Sequence, residues 1–320
     1  MRKINKASVI LSFYNEENNI PELIKRLRNV FARLIKNKAL ESYELIFVND
    51  NSTDGSERLL RTELIHKDIV IINMSRNFGT VECLLAGMEN SSGDVVIYLD
   101  ADLQDPPELI ENLISSWKND PDAEIVYTTR NIRHGEHWFK LLITKLGYRL
   151  IKKISDIDLQ VDSGDFKLLS RRAVNEVLKL KEDRPYMRGL VGWIGFKQIQ
   201  VFYDRDPRFD GAENTKNKLL SQKVIYYWID RALISFSDAP LKIVLFIGIV
   251  FSLFSTLYIF VVIAQKIMGI SLPGWSAIMA SILMIGSIQI LMLGFIGLYV
   301  GSIFRETKNR PKFIIKEIIR

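Results

Sequence analysis

The sequence contains one cysteine, Cys83, and therefore cannot form an intrachain disulfide, which is typical of proteins in a reducing compartment. It also lacks the patterns G-x-G-x-x-G and G-x-x-x-x-G-K-[ST], so the common dinucleotide-binding and P-loop classes are excluded. Zinc-ligand spacings and nucleic-acid-binding motifs are absent too, so we do not attribute the net charge of +6 to a nucleic-acid partner. Residues 1–13 have only a short apolar run and no small-residue cleavage pattern, and we expect no secretory signal there.

Charged side chains are almost absent from one long stretch near the end of the chain. Between residues 243 and 304 only Lys266 is charged. The uncharged segments 243–264 and 275–300 each exceed the roughly 20 residues that cross a bilayer core. We therefore predict a two-helix transmembrane hairpin within residues 239–304. Two buried core helices are the alternative, but a domain of this size has too little interior to bury both.

Basic residues predict the orientation of this hairpin. Six lysine and arginine residues lie in the segment 305–320, whereas the connector between the two spans carries one. The positive-inside rule places this basic tail, both termini and the N-terminal domain in the cytoplasm, and so predicts a multi-pass protein of the inner, cytoplasmic membrane. Residues 219–238 are predicted to be an interfacial amphipathic segment. Residues 138–154 form a candidate basic helix on the membrane surface, with an ordinary packed helix as the alternative.

Residues 1–218 are predicted to form an α/β domain. Apolar runs rich in β-forming residues alternate with amphipathic segments, which predicts a mostly parallel, doubly wound sheet. The runs are 7–13, 43–49, 69–75, 95–100 and 124–129. Ligands of such sheets bind at the carboxyl ends of the strands. Polar clusters lie at those ends: Tyr14-Asn15-Glu16, Asp50-Asn51-Ser52, Arg76-Asn77 and Asp100-Ala101-Asp102.

Two carboxylates close the fourth predicted strand. Asp100 and Asp102 are separated by one residue, and the alternation of an extended chain directs both beyond the strand end. Adjacent acids repel one another unless a cation joins them, and a hard divalent cation held by carboxylate and diphosphate oxygens does so. The sequence therefore predicts a Mg²⁺ or Mn²⁺ site here. An acid pair that caps the helix after Pro106-Pro107 is the alternative.

A second polar turn follows the run 43–49. Asp50 is placed to accept hydrogen bonds from a base N–H or a ribose hydroxyl, as acids at strand ends do in nucleotide-binding folds. Thr53 or Asp54 is a candidate N-cap for the next helix. The two roles are compatible with each other.

Several motifs follow one another in a defined order, with Tyr186-Met187-Arg188-Gly189 and the apolar hairpin at the end. The earlier motifs are 14–17, 48–55, 76–79, 100–108 and 164–168. In this order they resemble the family 2 glycosyltransferases, and in particular the polyprenyl-phosphate glycosyltransferases such as bactoprenol glucosyltransferases and dolichol-phosphate mannose synthases. The resemblance covers nearly the whole chain. It implies a GT-A fold, with a Rossmann-like and mostly parallel sheet, followed by a two-helix transmembrane hairpin.

The resemblance also implies roles for individual residues. The nucleotide is expected at Ser12, Tyr14, Glu16, Asp50, Arg76, Asp100 and Ala101. The metal is expected at Asp102, Asp100 and Gln104, and the catalytic residues are Asp165 and Asp102. Phosphates are expected near Arg130 and Arg133. Arg184 and Arg188 suit bidentate phosphate binding, with plain surface charge as the alternative, and Lys216 is a further phosphate-binding candidate.

The chain departs from the family pattern in three places. Ser12 stands where the family usually has proline, and Asn51 replaces a common glycine. The loop 208–217 carries an insertion, which leaves the register of Lys216 open. The first two changes alter the nucleotide-side loops without removing a hydrogen-bond donor or an acid.

The function implied by the resemblance is metal-dependent transfer of a hexose to polyprenyl (undecaprenyl) phosphate, with inversion by a single in-line displacement. UDP-glucose is the expected donor, and the lipid-linked sugar would serve cell-envelope glycan modification. The acceptor phosphate has a second pKa of about 6 and is largely ionised at neutral pH. Asp165 is therefore expected to act through its position and charge more than by removing a proton. Pairing with a nearby arginine that only shapes the acceptor site is the alternative.

Other functions stay open at the level of sequence. The same chemistry with GDP-mannose is the nearest. A processive polysaccharide synthase would need a Gln-x-x-Arg-Trp motif and usually more spans, and a non-catalytic membrane scaffold would not need to keep four acids of the motifs. Beyond nucleotide sugar, acceptor and bilayer, a second copy of the chain, a flippase and a downstream glycosyltransferase are candidate partners.

Overall fold

The computed structural model describes residues 2–130, 163–182, 185–204, 239–269 and 274–320. The chain divides into two compact units. One comprises residues 1–152, 157–220 and 311–320, and the other residues 153–156 and 221–310. The segments 138–154 and 219–238, for which the sequence predicts membrane-surface structure, lie outside the described residues.

The first unit alternates strands and helices as the sequence predicts. Its strands are β1 (Lys6–Phe13), β2 (Ser42–Asn49), β3 (Ile69–Met74), β4 (Val95–Asp100), β5 (Ile125–Arg130), β6 (Ser163–Ser170), β7 (Gln198–Tyr203) and β8 (Ile315–Ile319). Its helices are α1 (Ile20–Lys36), α2 (Ser56–Glu63), α3 (Thr80–Glu89), α4 (Leu109–Asn119), α5 (Arg171–Lys179) and α6 (Met187–Trp193). A short 3₁₀ turn, Leu64–His66, precedes β3.

The eight strands form one sheet in the order β7-β5-β6-β4-β1-β2-β3-β8. β1 pairs in parallel with β2 and β4, β2 with β3, and β5 with β7. β6 is antiparallel to β4 and β5, and β8 is antiparallel to β3. The sheet is therefore mostly parallel, which confirms the expected α/β class.

Apolar side chains cover both faces of the sheet, as is typical of a parallel sheet flanked by helices. One face packs against α1 and α4, through residues such as Phe31 and Leu113. The other packs against α3, α5 and α6, through residues such as Leu85 and Val174. On this second face α3 lies so close to β1 that a Cβ on Gly87 would approach Ile10 Cγ2 to 2.4 Å. Because of this close approach, the first residues of α3 are held beside the carboxyl ends of β1 and β4.

In its described part, the second unit contains two long apolar helices, α7 (Ala239–Ile267) and α8 (Trp275–Thr307). Within them the segments Val244–Gln265 and Met284–Thr307 are long and apolar enough to cross a membrane, with mean hydropathy of 2.5 and 1.9. The two helices contact each other, for example where Gly248 approaches the Met292 side chain. Both helices extend beyond the predicted spans 243–264 and 275–300.

The segment 305–320 differs from the basic tail that the sequence predicts. Its first residues complete α8, and Ile315–Ile319 form β8 at the edge of the sheet. Residues 311–320 accordingly belong to the first unit. Three of the five residues of β8 are isoleucine, a β-branched residue that favours strands.

Candidate active site

An open cavity of about 220 Å³ lies at the carboxyl ends of β1, β2 and β4, where parallel α/β sheets bind their ligands. Seven of the residues predicted to bind nucleotide or metal line it: Ser12, Tyr14, Glu16, Asp50, Asp100, Ala101 and Asp102. Phe13, Thr80 and Cys83 complete the lining. Ser12 lies level with Asp100 in the parallel register of β1 and β4.

Asp50 holds the turn that precedes α3. Its two carboxylate oxygens accept hydrogen bonds from the backbone N–H groups of Phe78, at 2.7 Å, and Gly79, at 3.0 Å. Burial and the Asp50 carboxylate together raise the pKa of the Cys83 thiol. Asp50 lines the cavity, but its bonds in this structure go to the backbone of the 76–79 motif. From the sequence, Asp50 is predicted to contact the nucleoside, and nothing in the sequence indicates that it also holds this turn.

Two loops at the rim of the cavity are joined by mutual hydrogen bonds. The backbone N–H of Asn15 donates to Ser52 Oγ at 3.0 Å, and the side-chain oxygen of Asn15 accepts from the Thr53 N–H at 2.8 Å. The Gly55 N–H donates to Glu17 Oε2 at 2.9 Å. The motif after β1 is therefore fixed to the motif after β2, and Tyr14 of the first motif is exposed and lines the cavity.

The backbone conformation at residue 51 explains why asparagine can replace the glycine that is common in the family. The φ of Asn51 is +61°, in the left-handed region where glycine is unstrained and asparagine is the next most tolerant residue. The replacement of glycine by asparagine therefore keeps the backbone conformation of this loop.

The turn after β4 carries the two acids of the Asp-x-Asp motif. Asp102 Oδ1 accepts the backbone N–H of Gln104 at 3.1 Å, and Leu103 between them has φ +56°. Asp105 is buried and accepts a hydrogen bond from the Tyr203 hydroxyl of β7. This bond connects the turn that contains Asp102 to β7, the strand at one edge of the sheet.

The donor set suits a hard divalent cation only in part. No group of three or more histidine, cysteine or acidic residues is gathered for a metal among the residues that the structure describes. Asp100 and Asp102 both line the cavity, and Gln104 follows in the same turn. One or two carboxylates are what Mg²⁺ commonly takes from a protein when phosphate oxygens and water complete its shell. The residues present therefore fit a metal that is shared with a diphosphate.

Asp165 lies on the strand next to the one that ends at Asp100. β4 and β6 are antiparallel with Tyr98 opposite Lys167, and Asp100 and Asp165 each lie two residues beyond this last pair of the register. Gly164 permits the close approach of β5, because a Cβ there would lie 2.6 Å from Thr128 Oγ1. The predicted catalytic acid and the predicted metal acids thus project from neighbouring strands.

Asp165 forms a two-point ion pair with Arg188 of α6. Arg188 Nε lies 2.8 Å from one carboxylate oxygen of Asp165, and Arg188 Nη2 lies 2.7 Å from the other. Half of the Asp165 side chain and a quarter of the Arg188 side chain are exposed. The structure thus forms the pairing with an arginine that the sequence leaves as an alternative for Asp165.

The remaining predicted residues lie away from this cluster or outside the description. Arg76 is exposed, and its guanidinium carbon lies 4.5 Å from the centre of the Phe78 ring. Arg130 ends β5, but its side chain is not described. Arg133, Arg184 and Lys216 lie outside the described residues.

Sequence reasoning missed four residues of this region: Thr80, Cys83, Tyr98 and Lys167. Thr80 and Cys83 begin α3, and only the packing of α3 on β1 brings them to the cavity. Lys167 carries a readable signal, because it interrupts an apolar strand with a charge between Phe166 and Leu168.

Comparison with known proteins gives the family. The sequence model described as glycosyl transferase family 2 matches residues 8–178, more than half of the chain. An uncharacterized glycosyltransferase of Bacillus subtilis is 41% identical over 97% of this chain and 93% of its own length. The prophage-derived bactoprenol glucosyl transferase of Shigella flexneri is 33% identical over 98% of both chains.

Solved structures show similarity at a lower level. The glucosyl-3-phosphoglycerate synthase of Mycobacterium tuberculosis, in complex with Mn²⁺, uridine diphosphate and phosphoglyceric acid, is 20% identical, with a TM-score of 0.47, over 71% of this chain and 78% of that chain. The family match and the mostly parallel sheet agree with the GT-A fold expected from the motifs. The chain belongs to glycosyltransferase family 2.

Proposed function

We propose that this protein transfers glucose from UDP-glucose to polyprenyl phosphate, with inversion at the anomeric carbon. The observation that carries the proposal is the position of Asp165. Asp165 lies on β6, the strand next to β4, and β4 ends at Asp100, which lines the cavity together with Asp102. A donor held by the cavity and an acceptor near Asp165 would meet near these acids. The similarity to bactoprenol glucosyl transferases supports this acceptor class.

The cavity by itself is a poor place for a free diphosphate. Its lining includes the acids Glu16, Asp50, Asp100 and Asp102, which repel an anionic donor. A divalent cation bound at Asp100, Asp102 and Gln104 would neutralise charge on the departing nucleoside diphosphate. Tyr14, whose ring is 47% exposed at the mouth of the cavity, is placed to contact the nucleoside.

Where the acceptor phosphate binds, positively charged side chains are more important for the reaction than a general base. A phosphate monoester with a second pKa of about 6 is already largely ionised at neutral pH. Bringing two anionic reactants together is then the main task, which arginine side chains perform by holding and orienting phosphates. Arg188 of α6 is such a group, and Asp165 holds its guanidinium in place at 2.7 and 2.8 Å.

We also propose that α7 and α8 anchor the enzyme as a transmembrane hairpin, with the catalytic unit in the cytoplasm. The length and apolar character of both helices support this proposal. β8 supports it too, because a chain that returns to the same sheet must cross the membrane an even number of times between β7 and β8. The lipid-linked sugar would then be passed to a flippase and a further glycosyltransferase.

A donor screen tests the proposed reaction. Purified enzyme in detergent is mixed with undecaprenyl phosphate, Mg²⁺ or Mn²⁺ and one nucleotide sugar at a time, and release of nucleoside diphosphate is followed together with the glycolipid product. We expect UDP release from UDP-glucose only when the lipid is present. GDP release from GDP-mannose would assign a mannosyltransferase instead, and the absence of lipid-dependent release with every donor would contradict the proposal.

A further inference from the structure

A lysine is buried on the strand that carries Asp165, two residues beyond it. Lys167 of β6 is only 2% exposed. It lies between Tyr98 of β4 and Tyr127 of β5 in the antiparallel registers on either side. Residues opposite one another in antiparallel strands share a face of the sheet, and Asp165, two positions before Lys167, shares that face as well. The face is the one covered by α6, which carries Arg188.

The electrostatic influences on these groups show that they are near one another. Burial and then Arg188 lower the pKa of Lys167, the Asp165 carboxylate opposes this change, and the pKa is left at about 8. Burial also raises the pKa of Tyr98, as does Asp165, while Arg188 lowers it. The Tyr98 hydroxyl is buried and has no hydrogen-bond partner among the described residues. Four groups from three elements therefore form one polar cluster within an apolar layer.

Among the residues that the structure describes, this cluster holds two cations and one anion. Asp165 contributes one negative charge, whereas Arg188 and Lys167 each contribute a positive charge when protonated. A buried ammonium group is costly unless a negative charge lies close to it. The second cation is explained if the cluster works in a state where Arg188 has another anion to bind, because Lys167 then remains as the cation beside Asp165.

We propose that Lys167 is a positioning residue for sugar transfer: it holds the Asp165 carboxylate ionised and in place when Arg188 binds the phosphate of the acceptor. This inference rests on the proposed function, because the anion that Arg188 takes is the polyprenyl phosphate. Lys167 itself is too deeply buried to contact the acceptor. It acts through Asp165 and through the excess positive charge that it adds behind the acceptor site.

The proposal is tested with Lys167→Met, which removes the charge, and Lys167→Arg, which keeps it. Lys118→Met is the matched control, because Lys118 on α4 bonds to the Ala39 carbonyl on the opposite side of the sheet. Steady-state rates are measured at varied undecaprenyl phosphate and at varied donor, from about pH 6 to about pH 10, a range that spans the lowered and the ordinary pKa of lysine. Unfolding temperatures report whether each variant is folded.

We expect the acceptor KM of Lys167→Met to rise roughly 10-fold or more, the size of effect that follows the loss of one charged interaction, with the donor KM unchanged. In the wild-type enzyme the acceptor KM should rise above about pH 8 as Lys167 loses its proton. The charged and titratable groups around Lys167 in the described part of the chain are Tyr98, Tyr127, Asp165 and Arg188. Lys167→Arg should keep a low acceptor KM and lose this alkaline rise, since arginine stays protonated.

The outcomes distinguish failure of the proposed sugar transfer from failure of the proposed positioning role of Lys167. A wild-type enzyme that transfers no sugar to the lipid overturns both of them. An active wild-type enzyme with an unchanged acceptor KM in Lys167→Met overturns the positioning role alone, and so does an alkaline rise that persists in Lys167→Arg. If Lys167→Met does not fold, the pH profiles of wild type and Lys167→Arg still decide the matter.

Discussion

The acids of the active site carry similar side chains but have different partners. Asp50 is bonded to two backbone N–H groups, Asp165 to an arginine, and Asp102 to the N–H two residues further on. Asp50 is thereby committed to holding a turn and Asp165 to an ion pair. Asp102 lies in a turn that lines the cavity and is the acid best placed to serve an incoming cation.

Asp102→Ala should therefore abolish turnover while leaving the fold intact. The change removes one of two carboxylates available to the metal, and we expect a loss on the order of 10²-fold or more, as for other electrostatic contributions to a transition state. The change removes the hydrogen bond to the Gln104 N–H, but Asp102 is only half-buried and lines the cavity, so the unfolding temperature should change little. The measurement is sugar transfer with Mg²⁺ or Mn²⁺, and Asp122→Ala, an exposed acid before β5, is the control. Full wild-type activity in excess EDTA would contradict the metal role.

Asp165→Asn should lower the rate at every pH without removing the acid limb of the pH–rate profile. Asparagine cannot form the two-point ion pair with Arg188, so the acceptor end is less well ordered. If the acceptor phosphate loses its reactivity as it is protonated, the limb follows its pKa of about 6 and not Asp165. The profile is measured under conditions in which chemistry limits the rate. Disappearance of the limb in Asp165→Asn would show instead that Asp165 titrates as a general base.

Among the elements, the strands that carry the site are held at their opposite ends by a second polar cluster. Glu44 at the start of β2 accepts hydrogen bonds from Lys6 Nζ at 2.7 Å, Ser8 Oγ at 2.6 Å and the Ser92 N–H at 2.8 Å. The Ser8 hydroxyl also accepts the Gly93 N–H at 2.8 Å. This cluster ties β1, β2 and the residues before β4 together at the amino ends of the strands.

Glu44 should make the stability of the catalytic unit depend on pH. Burial acts to raise the pKa of Glu44, but the hydrogen bonds from Lys6, Ser8 and Ser92 outweigh it and leave the pKa lowered. A lowered pKa in the folded state means that the stabilisation is present above the unfolded value of 4.5 and is lost as the pH falls through the folded value. Glu44→Gln should therefore be less stable than wild type at neutral pH, and the difference should shrink in acid.

The measurement is the unfolding temperature of both proteins in detergent at neutral and acidic pH. Glu41→Gln is the matched control, because Glu41 forms an exposed pair with Lys3, and exposed pairs contribute little to stability. A constant difference between wild type and Glu44→Gln at all pH values would show that Glu44 does not stabilise the fold through its charge.

The sequence predicts the strands far better than the contacts between them. Five apolar runs identify β1 to β5 to within about one or two residues, because buried parallel strands are continuous apolar segments. The same patterns place Asp50, Asp100 and Asp102 at strand ends. Lys167 could not be placed in this way, because its burial depends on the antiparallel register of β6, which local sequence does not specify.

For the molecule as a whole, β8 is the element that returns the chain from the two apolar helices to the catalytic sheet. It follows α8, yet it pairs with β3 in the catalytic sheet. Glu317 of β8 bonds to Asn73 of β3 at 2.9 Å and to Arg61 of α2 at 3.0 Å. Lys312, just before β8, donates to the Leu180 carbonyl after α5 at 2.6 Å. The sequence suggests only a basic tail here, because a five-residue strand after a membrane span has little local pattern to identify it.

The proposed hairpin makes a prediction here: since β8 belongs to the catalytic sheet, we expect the end of the chain and the catalytic unit on one side of the membrane and the connector of the hairpin on the other. Single cysteines introduced as Arg320→Cys, Asp122→Cys and Met268→Cys test this with a membrane-impermeant maleimide. Arg320 and Asp122 are exposed in the first unit, and Met268 is exposed at the end of α7. Met268 is preferred to Gly269, whose φ of +73° would strain a side chain. Cys83 is buried and its pKa is raised, so the wild-type protein should give a low background.

In intact spheroplasts we expect label at position 268 alone, and after permeabilisation at positions 122 and 320 as well. The positive-inside rule predicts this direction, because the basic residues cluster after α8, while the position of β8 predicts that 122 and 320 behave alike. The two arguments are independent of each other, and the labelling result can contradict one of them while supporting the other. Label at 122 and 320 but not 268 in intact cells would invert the orientation and keep the hairpin. Label at 268 and 320 from the same side would contradict the hairpin itself, since one crossing must then be missing between them.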